Sequence, residues 1–246
     1  MIRFCIVATA RSGSSYLATA LASYPNVVCL GEIFHPNVGE HFPDEYATSI
    51  DLGLRERDAV AFVDRVYGLD NGAHAAGFKI FRGHNDVALA HILSDRGIKK
   101  IVLRRENVLA SFSSLRLAIQ TGHWQARLSR PPPVMPPAAQ PSEPIDNRII
   151  FDPREFLSYW NWDCATFDYY RGSILSAAGD YLETDYLTVT SGDLFAIEQF
   201  LDLPAGFAWR GDTLKVNTRC ILDRFHNPDD VIEFVDEFEV RHWLNE

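Results

Sequence analysis

Short apolar runs alternate along the chain with segments that repeat apolar residues at helical spacing. Such alternation is typical of a parallel sheet with helices on both faces. The apolar runs predict strands at residues 3–9, 27–30, 76–81, 99–104 and 180–186. The helical spacing predicts helices at residues 14–24, 54–67, 86–96, 153–179 and 193–203, one after the strand at 99–104, and one after Asn227. We therefore expect an α/β fold in a single domain that spans residues 1–246.

Local signals place the ends of several helices. Tyr24 precedes a proline and so disfavours helix, and Gly97 is a typical helix terminator. Asn227 is followed by Pro228 and two aspartates, so that the cap residue, the proline at the first helical position and the macrodipole all favour a helix start there.

Residues 130–144 read RPPPVMPPAAQPSEP. Proline at this density excludes helix and central strand, so the segment predicts an extended loop. A loop or lid beside a functional site is the preferred interpretation, because long loops in compact domains are often functional. A polyproline segment that recruits a partner is the alternative.

Composition narrows the class of protein. The chain has 246 residues, of which 47% are hydrophobic and 23% charged, enough for a substantial core. No apolar run reaches membrane-spanning length, and the short run at residues 4–7 does not make a signal peptide. The formal charge of −10 disfavours nucleic acid as a partner. The cysteines at 5, 29, 164 and 220 are too far apart for a zinc cage or a disulfide framework, which favours a cytoplasmic protein with buried thiols and no metal.

The stretch ATARSGSSYL at residues 8–17 is the first candidate for chemistry. Arg11, Gly13 and the serines at 12, 14 and 15 predict a turn that directs backbone N–H groups at one anion, with the serines capping the next helix. The loop lacks the lysine and the spacing of a Walker A motif, which disfavours an ordinary ATP or GTP site. Its positive charge is expected from Arg11 alone. A strand-to-helix turn without a ligand is the alternative.

A second candidate is IVLRRENVLASFSSLRLA at residues 101–118. Arg104 and Arg105 end a predicted strand, and Ser111 and Ser114 lie within one turn of the helix that follows. An arginine at a strand exit and a serine on the next helix suit a second phosphate. Solvated surface arginines are the alternative.

Taken together, the motifs resemble those of sulfotransferases that use 3′-phosphoadenosine-5′-phosphosulfate (PAPS), and most closely the trehalose sulfotransferase family. The resemblance rests on TARSGSSYL, GEIFH at residues 31–35, LRREN, SFSSLRLA and AIQTGHW at residues 118–124. Weaker similarity continues in FLDLP at 200–204 and in LKVNTRCILDRFHNPDDVIEF at 214–234. The resemblance implies a three-layer, P-loop-like domain with a central parallel sheet.

The resemblance also implies roles for individual residues. The loop residues Arg11, Ser12, Gly13, Ser14 and Ser15 would hold the 5′-phosphate and the sulfuryl group. Arg105 and Ser114 fit the nine-residue spacing of the family's 3′-phosphate pair better than Arg104 and Ser113 do. Glu32 aligns with the general base of the trehalose enzyme, and Arg11 would stabilise the transition state.

The acceptor side is less defined. The expected acceptor-binding residues are Glu32, Phe34, His35 and Trp124, and His35 is an alternative base. The family implies a small hydroxylated acceptor, such as a carbohydrate. The second product would be adenosine 3′,5′-bisphosphate (PAP). The family implies no metal and allows a homodimer. Lys79 suits either a strand position facing the nucleotide or a surface position. The histidines at 41, 74, 84, 91, 226 and 242 show no ligand spacing and receive no role.

Three other functions stay open. Cys5 to Ser12 fits the phosphatase pattern C-x5-R-S, with Cys5 as nucleophile and Arg11 in the cradle, although the residues between continue a strand. A kinase with a degenerate loop is the second. A nucleotide-binding or adaptor protein without catalysis, which recruits partners through the proline stretch, is the third.

Overall fold

The structure, a computed structural model, describes residues 1–35, 50–69, 72–124, 126–127, 146–207, 213–214 and 220–245. The proline-rich stretch at 130–144 lies outside the described residues, so the lid stays a prediction. The chain divides into two compact units, Met1–Glu106 with Cys164–Gly211, and Asn107–Asp163 with Asp212–Glu246. The single-domain organisation stays a prediction.

The described secondary structure follows the predicted alternation. The strands are β1 (Ile2–Ala8), β2 (Val27–Glu32), β3 (Ala75–Phe81), β4 (Ile98–Arg104), β5 (Ala126–Arg127), β6 (Tyr181–Asp185) and β7 (Thr213–Leu214). The helices are α1 (Ser14–Ala22), α2 (Leu52–Arg57), α3 (Ala59–Tyr67), α4 (Asp86–Ser94), α5 (Val108–Thr121), α6 (Pro153–Ser176), α7 (Tyr186–Ser191), α8 (Phe195–Phe200) and α9 (Pro228–Glu237). Short 3-10 helices cover Leu222–Arg224 and Arg241–Leu244.

The first unit contains a five-stranded sheet in the order β2-β3-β1-β4-β6. All its pairings are parallel, and β1 lies at the centre, between β3 and β4. The α/β prediction is thereby confirmed. Parallel strands end at the same edge of a sheet, so the segments that follow β1, β2, β3, β4 and β6 all start at one edge.

Helices cover both faces of this sheet at its centre, which explains why β1 and β3 read as largely apolar runs. Alternate residues of β1 face opposite sides: Cys5 and Val7 belong to one core cluster, and Phe4 and Ile6 belong to the other. The first cluster includes side chains of α3 and α4, and the second includes side chains of α1 and α8. All residues of β3 are buried.

Two predicted helices are shorter than expected. The helix predicted at 54–67 is two helices, α2 and α3, because Asp58 leaves the helical conformation at φ −148° and its carboxylate accepts the N–H of Ala61. The helix predicted to end at Gly97 ends at Ser94, and Asp95 is extended. Gly97 instead donates its N–H to the Asp95 side chain.

The second unit has an aromatic core. Phe112 of α5 and Phe234 of α9 pack against Phe156 of α6, with ring centroids 5.2 Å apart in each pair. Asn107 caps α5 by accepting the N–H of Ala110. β5 and β7 pair antiparallel.

The predicted start of the last helix is right in its position, its proline and its acidic first turn, and wrong only in the side-chain cap. Asn227 occupies the N-cap position and Pro228 begins α9, yet the Asn227 side chain forms no cap hydrogen bond. It accepts the N–H of Phe151 and donates to the carbonyl of the same residue, at 2.8 and 2.9 Å. Asn227 therefore joins two segments rather than capping the helix. Among the described helices, none is long and apolar enough to span a membrane.

Candidate functional site

The loop that follows β1 has an unusual backbone. Arg11 adopts φ +66° and Gly13 adopts φ +87°, both in the left-handed region. Gly13 is the N-cap of α1. The first N–H groups of a helix have no partners inside the helix and form a favourable place for an anion. The loop therefore has the geometry of an anion turn at the edge of the sheet.

The predicted capping role of the serines is wrong. The N-cap of α1 is a glycine without a side-chain cap bond, and Ser12 donates its hydroxyl to the Thr9 carbonyl at 2.7 Å. Ser12 and Ser14 are buried, and Ser15 is half-buried. Ser12 thus fixes the turn, and the loop amides remain the groups suited to an anion.

Two features favour glycine at position 13: its left-handed backbone angle and the nearby ring of Tyr186. A Cβ atom at this position would lie 2.8 Å from the Tyr186 ring. Tyr186 is the first residue of α7, and Asp185 caps that helix by accepting the N–H groups of Leu187 and Thr188. The end of β6 therefore holds an aromatic ring directly against the anion turn, a contact that the sequence pattern does not reveal.

Arg105 also packs on that ring. Its guanidinium carbon is 4.1 Å from the Tyr186 ring centroid, and its Nη1 donates to the carbonyl of Arg11 at 3.2 Å. Arg105 is only 7% exposed, so the interpretation as solvated surface charge is wrong for this residue. Arg104 diverges from it, because its guanidinium lies over Phe167 and contacts the sulfur of Cys164.

Lys79 supplies the loop with the lysine that the motif itself lacks. It lies on β3, paired in register with Ile6 of β1 and Glu32 of β2, and is 2% exposed. Its ammonium donates to the Ser15 hydroxyl at 2.6 Å and lies 2.8 Å from Oε1 of Glu32. The surface alternative for Lys79 is therefore wrong, and so is the expectation that Arg11 alone provides the positive charge.

Glu32 is the last residue of β2 and is 9% exposed. The pairing of β2 with β3 shifts register between Cys29 and Glu32. Such irregularities re-aim the side chains that follow them. Burial of a carboxylate requires compensation, and Lys79 provides it.

His84 also faces this carboxylate. Its Nε2 lies 3.6 Å from Oε2 of Glu32. Burial lowers the pKa of His84 below its ordinary 6.5, although the charge of Glu32 acts in the opposite direction. His84 has no role that is visible in the sequence, because it is far from Glu32 along the chain and only the pairing of β2 with β3 brings the two together.

His35 follows Glu32 by one turn. Its N–H donates to the Glu32 carbonyl at 2.9 Å, and its ring centroid lies 6.3 Å from that of His84. Arg55 donates to the His35 carbonyl at 3.1 Å. Both Glu32 and His35 are thus at the site, and the choice of base between them stays a prediction.

The other expected acceptor residues have different surroundings. Phe34 is buried and packs edge-on against Phe62, with ring centroids 5.5 Å apart, so the contacts that the structure shows for it are those of a core residue. Trp124 follows α5 in the second unit and is 48% exposed. Roles for Phe34 and Trp124 in acceptor binding stay predictions.

Ser114 lies on α5 in the second unit and is buried. Its neighbour Ser113 accepts a hydrogen bond from Nη1 of Arg224 at 2.9 Å, and donates to the Ala110 carbonyl. Ser113 is therefore hydrogen-bonded within its own unit, and the structure does not choose between Ser113 and Ser114 as the serine of the predicted 3′-phosphate pair. That pairing stays a prediction.

Cys5 does not suit the phosphatase alternative. It is fully buried in the middle of β1, and burial raises the pKa of its thiol well above the usual range. A nucleophilic cysteine needs the reverse: access and a lowered pKa. Among the described residues, no group of three or more His, Cys, Asp or Glu side chains is arranged to hold a metal ion.

Comparison with known proteins adds no family. The sequence matches no protein-family model, and a search of the curated proteins finds no match. The site is therefore interpreted from its own chemistry and from the motifs described above.

Proposed function

We propose that this protein is a sulfotransferase that moves a sulfuryl group from PAPS to a hydroxyl of a small acceptor. The proposal includes a P-loop-like α/β unit and a cytoplasmic location. The proposed acceptor is a carbohydrate or another hydroxylated metabolite, and a homodimer is an allowed assembly. The observation that carries the proposal is the position of Lys79, whose ammonium contacts both Ser15 of the anion turn and the carboxylate of Glu32. The ammonium of Lys79 thus contacts both Glu32, the proposed base, and the turn that we propose binds the anionic donor.

The residues fit an anionic donor. The left-handed turn at Arg11 and Gly13 opens the N-terminus of α1, where backbone N–H groups favour negative charge. Lys79 on β3 and Arg105, the residue after the end of β4, both contact the same loop. Ser12, Ser14 and Ser15 are the further residues that we expect to contact the 5′-phosphate and the sulfuryl group, and Arg105 is the unit's candidate for the 3′-phosphate.

When bound, PAPS supplies an activated sulfuryl group whose bond to the nucleotide phosphate breaks as a new bond forms to the acceptor oxygen. Glu32 accepts the proton that the acceptor hydroxyl loses, and releases it to solvent. A well-placed general base contributes about 10²- to 10⁴-fold to such a step. Arg11, Lys79 and the loop amides stabilise the charge that develops on the leaving phosphate, which lowers the barrier because that charge is greatest in the transition state.

Lys79 also favours a second candidate. Because β3 delivers a lysine to the turn, the lack of a lysine in the loop no longer separates this site from those that bind nucleoside triphosphates. A nucleotide-binding protein or a kinase with a degenerate loop is therefore the runner-up.

Thermal unfolding with two nucleotides separates the candidates. Adenosine 3′,5′-bisphosphate at about 100 times its dissociation constant stabilises a binding protein by roughly 2.7 kcal/mol, which is a shift of several degrees. We expect this shift with the bisphosphate and none with ATP and magnesium. A shift with ATP and magnesium alone, an equal shift with both, or none with either would contradict the sulfotransferase.

A further inference from the structure

The turn after β3 has a geometry that the proposed reaction does not yet use. The N–H of His84 donates to the Phe81 carbonyl at 3.1 Å, and Gly83 between them adopts φ +89°. Glycine at the third position of a turn closed in this way is typical of type II. Among the described residues other than its two chain neighbours, no heavy atom lies within 4 Å of the place where a Gly83 Cβ would stand, so the backbone angle is what favours glycine here.

The turn also fixes the ring of His84. The N–H of Phe81 donates to Nδ1 of His84 at 3.3 Å, and the two rings pack with centroids 4.9 Å apart. In a neutral imidazole one nitrogen accepts and the other carries the proton. Because Nδ1 accepts from the backbone, Nε2 carries the proton and is a donor.

That donor faces Glu32. Nε2 of His84 lies 3.6 Å from Oε2 of Glu32, while Nζ of Lys79 lies 2.8 Å from Oε1. The first distance is longer than a direct hydrogen bond, so the N–H dipole acts on the carboxylate electrostatically. The charged or titratable groups that act on His84 are Glu32, His35 and Lys79.

We propose that His84 is a positioning residue for Glu32: Lys79 holds one carboxylate oxygen, the Nε2–H of His84 orients the other, and the carboxylate plane is thereby fixed toward the acceptor hydroxyl. The inference rests on the proposed function for its catalytic meaning. The contact between His84 and Glu32 does not depend on the proposed function, and it can be tested without measuring turnover.

Burial keeps His84 in the state that this role needs. The lowered pKa leaves the imidazole neutral at pH 7, with its single proton directed by the turn. The negative charge of Glu32 raises that pKa, and the neighbouring His35 and Lys79 lower it. The titration of His84 therefore reports on whether Glu32 is ionised and close.

The kinetic test compares two substitutions. His84→Phe keeps a ring against Phe81 but removes the donor, whereas His84→Gln keeps an N–H donor. We expect kcat to fall about tenfold or more in His84→Phe, since small misplacements of a reacting group have effects of this order. The KM for the donor should be unchanged, and His84→Gln should recover most of the rate. Equal loss in both variants, or no loss in either, would overturn the proposal.

Alanine substitutions at two glycines with positive φ, Gly83 and Gly72, separate the role of the turn after β3 from general backbone strain. Gly83→Ala should lower kcat because it distorts the turn that aims His84, whereas Gly72→Ala should leave it unchanged. Gly72 precedes β3 at the opposite edge of the sheet and has φ +81°, and in the described part of the chain nothing beyond its chain neighbours lies within 4 Å of its Cβ position. An equal effect of both substitutions would show that the turn after β3 has no special role.

Imidazole nitrogen NMR supplies the readout that is independent of turnover. The wild-type protein should show His84 as the Nε2–H tautomer, and Glu32→Gln should lower its pKa because a negative charge is removed. An unchanged titration in Glu32→Gln, or the Nδ1–H tautomer, would overturn the positioning role. If the wild-type protein transfers no sulfuryl group, the proposed function fails, and the NMR comparison alone decides the contact between His84 and Glu32.

Discussion

Lys79 and Glu32 are register partners on neighbouring parallel strands, and their charged groups lie 2.8 Å apart with both side chains largely buried. A buried pair of this kind contributes most visibly when one member is removed, because the remaining charge then lacks its main compensation.

Lys79→Met should therefore lower the free energy of unfolding by about 3 kcal/mol. Combining it with Glu32→Gln should restore much of the loss, since the second substitution removes the charge left behind. Urea denaturation of the wild type, both single variants and the double variant measures the coupling. Lys99→Met is the control: Lys99 is half-buried and donates to the Phe200 carbonyl, but its acidic partner Asp202 is 68% exposed, so no buried charge is left behind and the loss should be about 1 kcal/mol. Equal losses in Lys79→Met and Lys99→Met would contradict the account.

The contact between Gly13 and Tyr186 makes a second prediction. Gly13→Ala should cost roughly 1 kcal/mol for its left-handed backbone and a further 1–3 kcal/mol for the clash with the ring. Gly72→Ala, with a similar φ and open space, should show only the first part. Denaturant unfolding measures both variants.

A double variant tests whether the Tyr186 ring causes the additional loss of stability in Gly13→Ala. Tyr186→Ala removes the ring, so in that background Gly13→Ala should cost no more than Gly72→Ala does. If Gly13→Ala costs the same with and without Tyr186, the ring does not determine the residue at position 13.

Much of the fold could be predicted from the chain because its strands are buried on both faces. The central strands are continuous apolar runs, and the helices between them have clear apolar faces, so the α/β class and the approximate element positions follow from sequence. Helix ends were less predictable. Asp58 breaks a helix that periodicity alone continues, and Asn227 gives its amide to Phe151 instead of capping α9.

The candidate site could be predicted only in part. Arg11, Gly13 and Glu32 stand in motifs, so their chemistry is visible along the chain. Lys79, His84 and Tyr186 stand in no motif, and they reach the site through sheet register and through the turns that follow β3 and β6. Contacts between residues so far apart in sequence depend on strand order, which periodicity does not give.

Arg105 makes a prediction about nucleotide selectivity. Arg105→Ala should lower the affinity for adenosine 3′,5′-bisphosphate by about tenfold or more, the value of one charge-assisted hydrogen bond. The affinity for adenosine 5′-phosphate should change less, so the discrimination between the two nucleotides should decrease. Arg104→Ala is the neighbouring control and should preserve discrimination, because Arg104 packs on Phe167. Calorimetry measures both ligands, and unchanged selectivity in Arg105→Ala would show that another residue binds the 3′-phosphate.

His84 makes the stability of the protein depend on pH. Its pKa in the folded state is lower than the 6.5 of the unfolded chain, so the unfolded chain binds the proton first as pH falls. The contribution of His84 is fully present above pH 6.5 and is lost as pH falls toward the folded pKa. The free energy of unfolding, measured in urea between about pH 5 and 7, should decrease less steeply in His84→Phe than in the wild type. Parallel curves for the two proteins would contradict the lowered pKa.

The most direct measurement is transfer from sulfur-labelled PAPS to a panel of hydroxyl and amine acceptors, with Glu32→Gln and His35→Gln beside the wild type. We expect labelled product from the wild type with a hydroxyl acceptor, and a loss of about 10²-fold or more in Glu32→Gln. The thermal shift with adenosine 3′,5′-bisphosphate should survive in that variant. No transfer by the wild type to any acceptor would contradict the sulfotransferase, and full transfer by Glu32→Gln with loss in His35→Gln would assign the base to His35.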